Sequence, residues 1–299
     1  MAADATTYSN FIQQTQVVVD TASENLIPKS VWINHVMREE LPLGVTQTKE
    51  VTKDGELERT VLPENTQAPI SEFTQTSTLL NAIKSVVVSR STVEGQDFGR
   101  QDPMSKLGME QAKALAKGAD EDIASLVSGF SQSLTAAGAN LTALELLACA
   151  FALQVSTNGH VDDEGGAMFI GSPKQIMEAT VVDALNPASG VLSTIYGNAG
   201  SSFGMAVDDL ATSKPGARGF HSNLAGLDLY KTNVVDDDGT NFRGCVFQKT
   251  RAFVGFWSTG VNVLTDLDLL FFRNEIGTYW YFDAAIHWDE AGCQVLSPI

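Results

Sequence analysis

The most regular pattern in the chain lies between residues 103 and 130. There Leu107, Gln111, Leu115, Ala119, Ile123, Leu126 and Phe130 recur at steps of three and four, the spacing of one helical face. This predicts a helix over 103–130, about 40 Å long at the usual rise per residue. Asp102 is placed as its N-cap, Pro103 at the first helical position and Gly129 near its end. Ala112, Ala114, Ala116 and Ala119 permit close approach of a neighbouring sheet or helix. Asp120, Glu121 and Asp122 sit in the middle, but consecutive helical positions diverge by about 100°. A paired-carboxylate site is therefore disfavoured, and the helix reads as a strut.

Around this helix the period changes. IPKSVWINHVMREEL predicts a short amphipathic helix ending before Pro42, and residues 44 to about 92 read as strands. In GVTQTKEVTKDGELERTVLPEN the pair Asp54-Gly55 is a hairpin turn signal. Its arms carry only Val45, Val51, Leu57, Val61 and Leu62 as large apolar residues, too few for a hairpin that stands alone. The Thr-rich stretch from Phe73 to Thr78 leads to LLNAIKSVVVSRS, which reads as a more buried return.

Further on, Thr142-Ala-Leu-Glu145 forms a capping box ahead of LELLACAFALQ, with Leu141 and Leu146 placed as a hydrophobic staple. Ser172-Pro-Lys-Gln175 repeats the device after Met168, Phe169 and Ile170, so a strand then a helix is expected there. TYWYFDAAIHW puts Trp280, Phe282, Ala284, Ile286 and Trp288 on one face and Tyr279, Tyr281, Asp283 and His287 on the other. A turn at Asp289 to Gly292 then leads to CQVLS. The order is α+β and lacks the strand-helix alternation of a doubly wound enzyme.

Composition adds limits. The chain of 299 residues is 43% hydrophobic and 18% charged, ordinary for a globular protein. LLACAFAL, its longest apolar run, is far short of the roughly 20 residues of a membrane span. The opening MAADATTYSNF has no basic region followed by an apolar core, so a cytosolic, unprocessed chain with no membrane partner is expected. Cys149, Cys245 and Cys293 are scattered and odd in number, which predicts reduced core cysteines rather than a disulfide frame or a zinc site.

Charge changes the picture more. A formal net charge of −17 excludes a sequence-reading nucleic-acid binder. Between Lys117 and Lys174 there is no Lys or Arg, while Asp120, Glu121, Asp122, Glu145, Asp162, Asp163 and Glu164 fall in that interval. This reads as a solvated acidic face, or more sharply as a surface that lives beside DNA without adhering to it.

Catalytic patterns are sparse. There is no phosphate loop, GxGxxG or HExxH. VVDDDGTN has Val234 where a calcium loop needs its first ligand, so an exposed turn is expected. His35, His160, His221 and His287 show no ligand spacing, and Asn140-Leu-Thr142 is an incidental glycosylation match in a cytosolic chain. Gly200-Ser201-Ser202-Phe203-Gly204 fits GxSxG, with Asp266 or Asp268 and then His287 following in hydrolase order. The flexible Tyr196-Gly-Asn-Ala-Gly200 before it is not the buried strand that a nucleophile turn requires. No catalytic, cofactor or metal residue is assigned.

The order of elements carries a resemblance over nearly the whole chain. GRQDPMSKLGMEQAKALAKGADEDIASLVSGF, preceded by the hairpin and followed by the capped helices, FIGSPKQIMEA, RGFHSNLAGLDLYKTNVV and the terminal strands, resembles the major capsid protein of tailed bacteriophages, the Hong Kong 97-like (HK97-like) capsid fold. The resemblance implies an N-terminal arm over 1–43 and an extended loop over 44–98. It implies a peripheral domain from 99–135, holding the long spine helix, and 250–299, with an axial domain over 136–249. It also implies that Gly219 to Tyr230 returns toward a peripheral sheet. The implied function is self-assembly into pentamers and hexamers of an icosahedral shell around double-stranded DNA. That shell would form in the host cytoplasm and end in the virion, with a portal and either a separate scaffolding protein or none. Lys53, Asp54, Glu56, Glu58 and Arg59 near the hairpin tip are the candidate inter-subunit contacts. Two other readings are an encapsulin-like cellular compartment and a GxSxG hydrolase acting through Ser202.

Overall fold

The computed structural model describes residues 16–26, 29–41, 48–54, 75–92, 103–137, 140–157, 166–179, 220–224, 226–258, 260–268 and 273–299. The helices are α1 (residues 16–26), α2 (Pro103–Leu126), α3 (Ala143–Ser156) and α4 (Pro173–Met177). The strands of the first half are β1 (Met37–Leu41), β2 (Thr48–Asp54), β3 (Gln75–Asn81), β4 (Ile83–Thr92), β5 (Gln132–Thr135) and β6 (Ala167–Gly171). Those of the second half are β7 (Phe220–Leu224), β8 (Leu227–Lys231), β9 (Asp236–Asp237), β10 (Asn241–Gln248), β11 (Phe253–Ser258), β12 (Asn262–Asp268), β13 (Arg273–Ile286) and β14 (Gly292–Pro298).

β13 organises one five-stranded sheet. β4 pairs along one edge, while β11 and β12 follow each other along the opposite edge as one interrupted strand, and β1 adds in parallel to β11. The long helix α2 lies on this sheet. Gln111 Nε2 donates to the Ile276 carbonyl at 2.9 Å and to Ser89 Oγ at 2.5 Å, while Ala112, Leu115, Ala116, Ala119 and Ile123 are buried. Of the small residues, Ala112, Ala116 and Ala119 face the packed side and Ala114 is exposed; at Gly108 α1 comes so close that a Cβ would stand 2.7 Å from the Val18 carbonyl oxygen. The helix stops at Leu126, short of the predicted end, and a 3-10 turn over Val127–Gly129 leads to Phe130. That turn swings the Phe130 ring edge-on to Phe253, 5.2 Å between centroids. Asp102 lies outside the described residues.

A second sheet of seven strands has the order β5-β14-β10-β6-β8-β7, with β9 on β10. Both predicted capping boxes are present: Thr142 and Glu145 open α3, and Ser172 and Gln175 open α4. Leu141 and Leu146 are both buried at the α3 entry. One large cluster joins the two sheets, from Met168, Ile170 and Phe247 through Trp32 to Phe253 and Trp280.

Several expectations are corrected. The described part of IPKSVWINHVMREEL does not form the expected amphipathic helix: Ile33–His35 is a 3-10 turn and Met37–Leu41 is β1, held by register with Val254 to Ser258. Cys149 and Cys293 form a disulfide between α3 and β14, with Cα atoms 6.7 Å apart, leaving Cys245 as a buried free thiol. A pairing across 144 positions has no local spacing to announce it. LLNAIKSVVVSRS is buried on one face only: Leu80 and Ala82 are buried, whereas Leu79, Ile83, Val86 and Val88 are exposed.

Within the Gly219 to Tyr230 segment, the described residues belong to β7 and β8 of the seven-stranded sheet, not to the sheet beneath the long helix. β14 leaves β13 after the turn at Asp289–Ala291 and joins β10 and β5 in that same second sheet. Residues 132–135 and 292–298 thus pack with the elements of 136–249.

The hairpin also differs from its sequence reading. β2 pairs antiparallel with β3, from Thr48 opposite Asn81 to Asp54 opposite Gln75. The strand therefore runs through Asp54; Gly55 and the residues up to 74 lie outside the described residues. Its root is buried within the subunit, where Val51 and Leu80 pack with Ala82, Val254 and Phe256.

Candidate interaction surfaces

At the hairpin root, Lys53 is engaged within its own chain. Its Nζ lies 2.8 Å from Glu290 and 4.2 Å from the centre of the Trp288 ring, whose surroundings include the Arg251 guanidinium at 3.9 Å. Two cations thus share one indole, a favourable electrostatic arrangement. Burial first, then the charges of Lys53 and Arg251, hold the His287 imidazole below its ordinary pKa of 6.5, with Glu39 opposing. The hydrogen bond from Lys53 holds the Glu290 carboxyl below the usual range. Asp54 contributes the last backbone pair of β2, while Glu56, Glu58 and Arg59 lie outside the described residues.

Among the described residues, the outer face of α3 is an uncovered apolar surface. Cys149 and Leu153 bury its inner stripe, while Leu144, Phe151 and Val155 stand 57%, 64% and 80% exposed. The positions 144, 148, 151 and 155 form one helical stripe with no polar residue in it. A helix apolar on both faces is ordinarily covered on both. A second apolar strip crosses the outer face of the five-stranded sheet. Val88 and Leu264 flank the bare Gly277 from opposite strands, with Val86 beside them.

The long helix carries its acids in separate directions, as its period demands. Asp120 points inward, where its carboxylate accepts the Ser30 hydroxyl, the Val31 N–H at 3.0 Å and the Trp32 N–H at 3.1 Å. Burial raises its pKa and these donors oppose the rise. The Trp32 indole then donates to the Val234 carbonyl at 3.0 Å, so one tryptophan joins α2 to the second sheet. Sequence reasoning passed over Trp32 and Ser30; the only signal was a Ser-Val-Trp run with the cap-forming acid 90 positions away.

The catalytic alternative fails on geometry. Asp266 pairs with Glu275 and Asp268 with Arg273, whereas His287 follows the far end of β13. Twelve residue steps separate Glu275 from His287, about 40 Å of strand. Neither aspartate can orient that imidazole. Residues 200–204 lie outside the described residues. The acidic turn behaves as expected: Asp238 accepts the Thr240 hydroxyl and the N–H groups of Thr240 and Asn241, which depress its pKa, and Arg243 pairs with Asp236 at 2.7 Å. Among the described residues no cluster of three metal-binding side chains occurs, and no helix is long and apolar enough to cross a membrane.

No family model and no curated protein matches the sequence. Solved structures do match over most of the chain. The head structure of Helicobacter pylori bacteriophage KHP40 superposes with a TM-score of 0.63 at 9% identity, covering 90% of each chain. The capsid of cyanophage P-SCSP1u gives 0.60 at 12% identity, covering 88% of this chain and 86% of that one. A virus-like particle from Pyrococcus furiosus gives 0.59 at 10% identity, covering 93% and 97%. The α+β architecture is thus the Hong Kong 97-like capsid fold, reached by a sequence that shares little with these structures.

Proposed function

We propose that this chain, with its Hong Kong 97-like fold, is the major capsid protein of a tailed bacteriophage. It self-assembles into the pentamers and hexamers of an icosahedral head around double-stranded DNA. The observation that carries the reading is the outer stripe of α3: Leu144, Phe151 and Val155 need a cover, and a second copy of the chain would supply one. Exposed apolar patches of this kind mark association surfaces. The role is structural. The net charge of −17 suits a shell that must release its DNA, since phosphate neutralisation would hold the duplex by counterion release. A separate scaffolding protein and a portal complete the head, which forms in the host cytoplasm and persists in the virion.

Sedimentation of the full-length chain tests this. Species of megadalton size are expected, alone or with the scaffolding protein. Monomers at every salt and protein concentration, scaffold included, would count against it. A cellular compartment shell has the same assembly and differs in content, so nuclease-protected double-stranded DNA inside particles from infected cells separates the two.

A further inference from the structure

Where α2, the segment before β1 and the loop after β8 meet, the surface opens into a cavity of about 560 Å³. Its lining brings together Lys29, Lys113, Lys117 and Lys231. These come from three separate stretches of a chain that has only 19 basic residues and a net charge of −17. The single acidic side chain in the lining is Asp120, and its carboxylate is committed inward to Ser30, Val31 and Trp32. Lys113 touches Glu110, and Lys117 lies 3.1 Å from Glu121, each one turn away on the same helix. Such exposed neighbour pairs are weak and screened, and a multivalent anion displaces them. Among the described residues Lys29 and Lys231 make no ion pair.

We propose that this cavity binds a compact ligand carrying several phosphate groups, held by the ammonium groups of Lys29, Lys113, Lys117 and Lys231, which line it. Lysine binds phosphate as a point charge. No arginine fork and no aromatic ring lines the cavity, so it recognises charge and reads no base. The inference is independent of the shell reading. The phosphates come from a free polyphosphate-type anion or from a nucleic-acid backbone, and the two sources separate in the test.

The test is calorimetric titration of the full-length chain at low salt with inorganic tripolyphosphate as the probe. One saturable site per chain is expected, with affinity falling as salt rises. The double substitution Lys117→Gln/Lys231→Gln should weaken it about tenfold or more, the loss of two of four charge contacts. Lys84→Gln/Lys249→Gln, outside the cavity, should leave it unchanged. Thermal melts confirm that both variants fold. A short DNA duplex that displaces tripolyphosphate with the same lysine dependence assigns the source to a nucleic-acid backbone; a duplex that does not compete assigns it to a free anion. Absence of saturable binding by either probe, or equal loss in both double variants, overturns the proposal.

Discussion

The Asp120 carboxylate accepts the backbone N–H of Trp32 at 3.1 Å, across 88 positions of sequence. With Val31 and Ser30 it satisfies the start of the turn at Ile33–His35, and it fixes that turn to the long helix. Asp120→Ala leaves two buried N–H groups without an acceptor. The expected loss is about 3 kcal/mol, read from urea unfolding of the unassembled chain. A variant within about 0.5 kcal/mol of wild type would show that water replaces the carboxylate.

The disulfide between Cys149 and Cys293 closes a loop of 144 positions. Peptide mapping without reductant should recover the linked pair. Reductant should lower stability by about 2–4 kcal/mol. Free thiols at both positions in the oxidised protein would contradict the pairing.

His287 gives a pH dependence with a defined sign. Its folded pKa is depressed below 6.5 by burial, Lys53 and Arg251, so the native state binds fewer protons than the unfolded chain. The stability it contributes is present above pH 6.5 and is lost as pH falls through the lower folded value. Unfolding free energy should therefore drop between neutral pH and the mildly acidic range, and His287→Gln should flatten the drop. An unchanged slope in the variant would remove His287 as its cause.

At the hairpin root, Leu80 is fully buried against Val254 and Phe256. Leu80→Ala should cost about 2–4 kcal/mol in the isolated subunit. Lys53→Met, which removes a partly exposed pair, should cost less than about 1 kcal/mol. Equal costs would mean that the root is held by charge rather than by burial.

The legible parts of the fold were those whose signals are local. Thr142 with Glu145 and Ser172 with Gln175 each complete a cap within three residues, and the three-and-four spacing of α2 reports its own buried face. Strand β1 was hidden because its conformation depends on pairing with β11, far along the chain. The pairing of β2 with β3 was hidden for the same reason, because Gln75–Asn81 lies well beyond β2 in the sequence. Of the candidate contacts, Lys53 proved engaged within the chain, a contact set by the fold of residues 251–290. The apolar outer stripe of α3 was present in LELLACAFALQ, but only the packed core tells which face is left uncovered.

The central claim is that the exposed face of α3 closes a shell, and electron microscopy of wild type beside Phe151→Glu tests it most directly. Phe151 is 64% exposed, so the substitution should leave thermal unfolding within about 0.5 kcal/mol of wild type. Closed, uniform particles from wild type and only unassembled, folded subunits from Phe151→Glu are the predicted result. Wild-type protein that never forms shells, with or without its scaffold, or normal shells from Phe151→Glu, would contradict it.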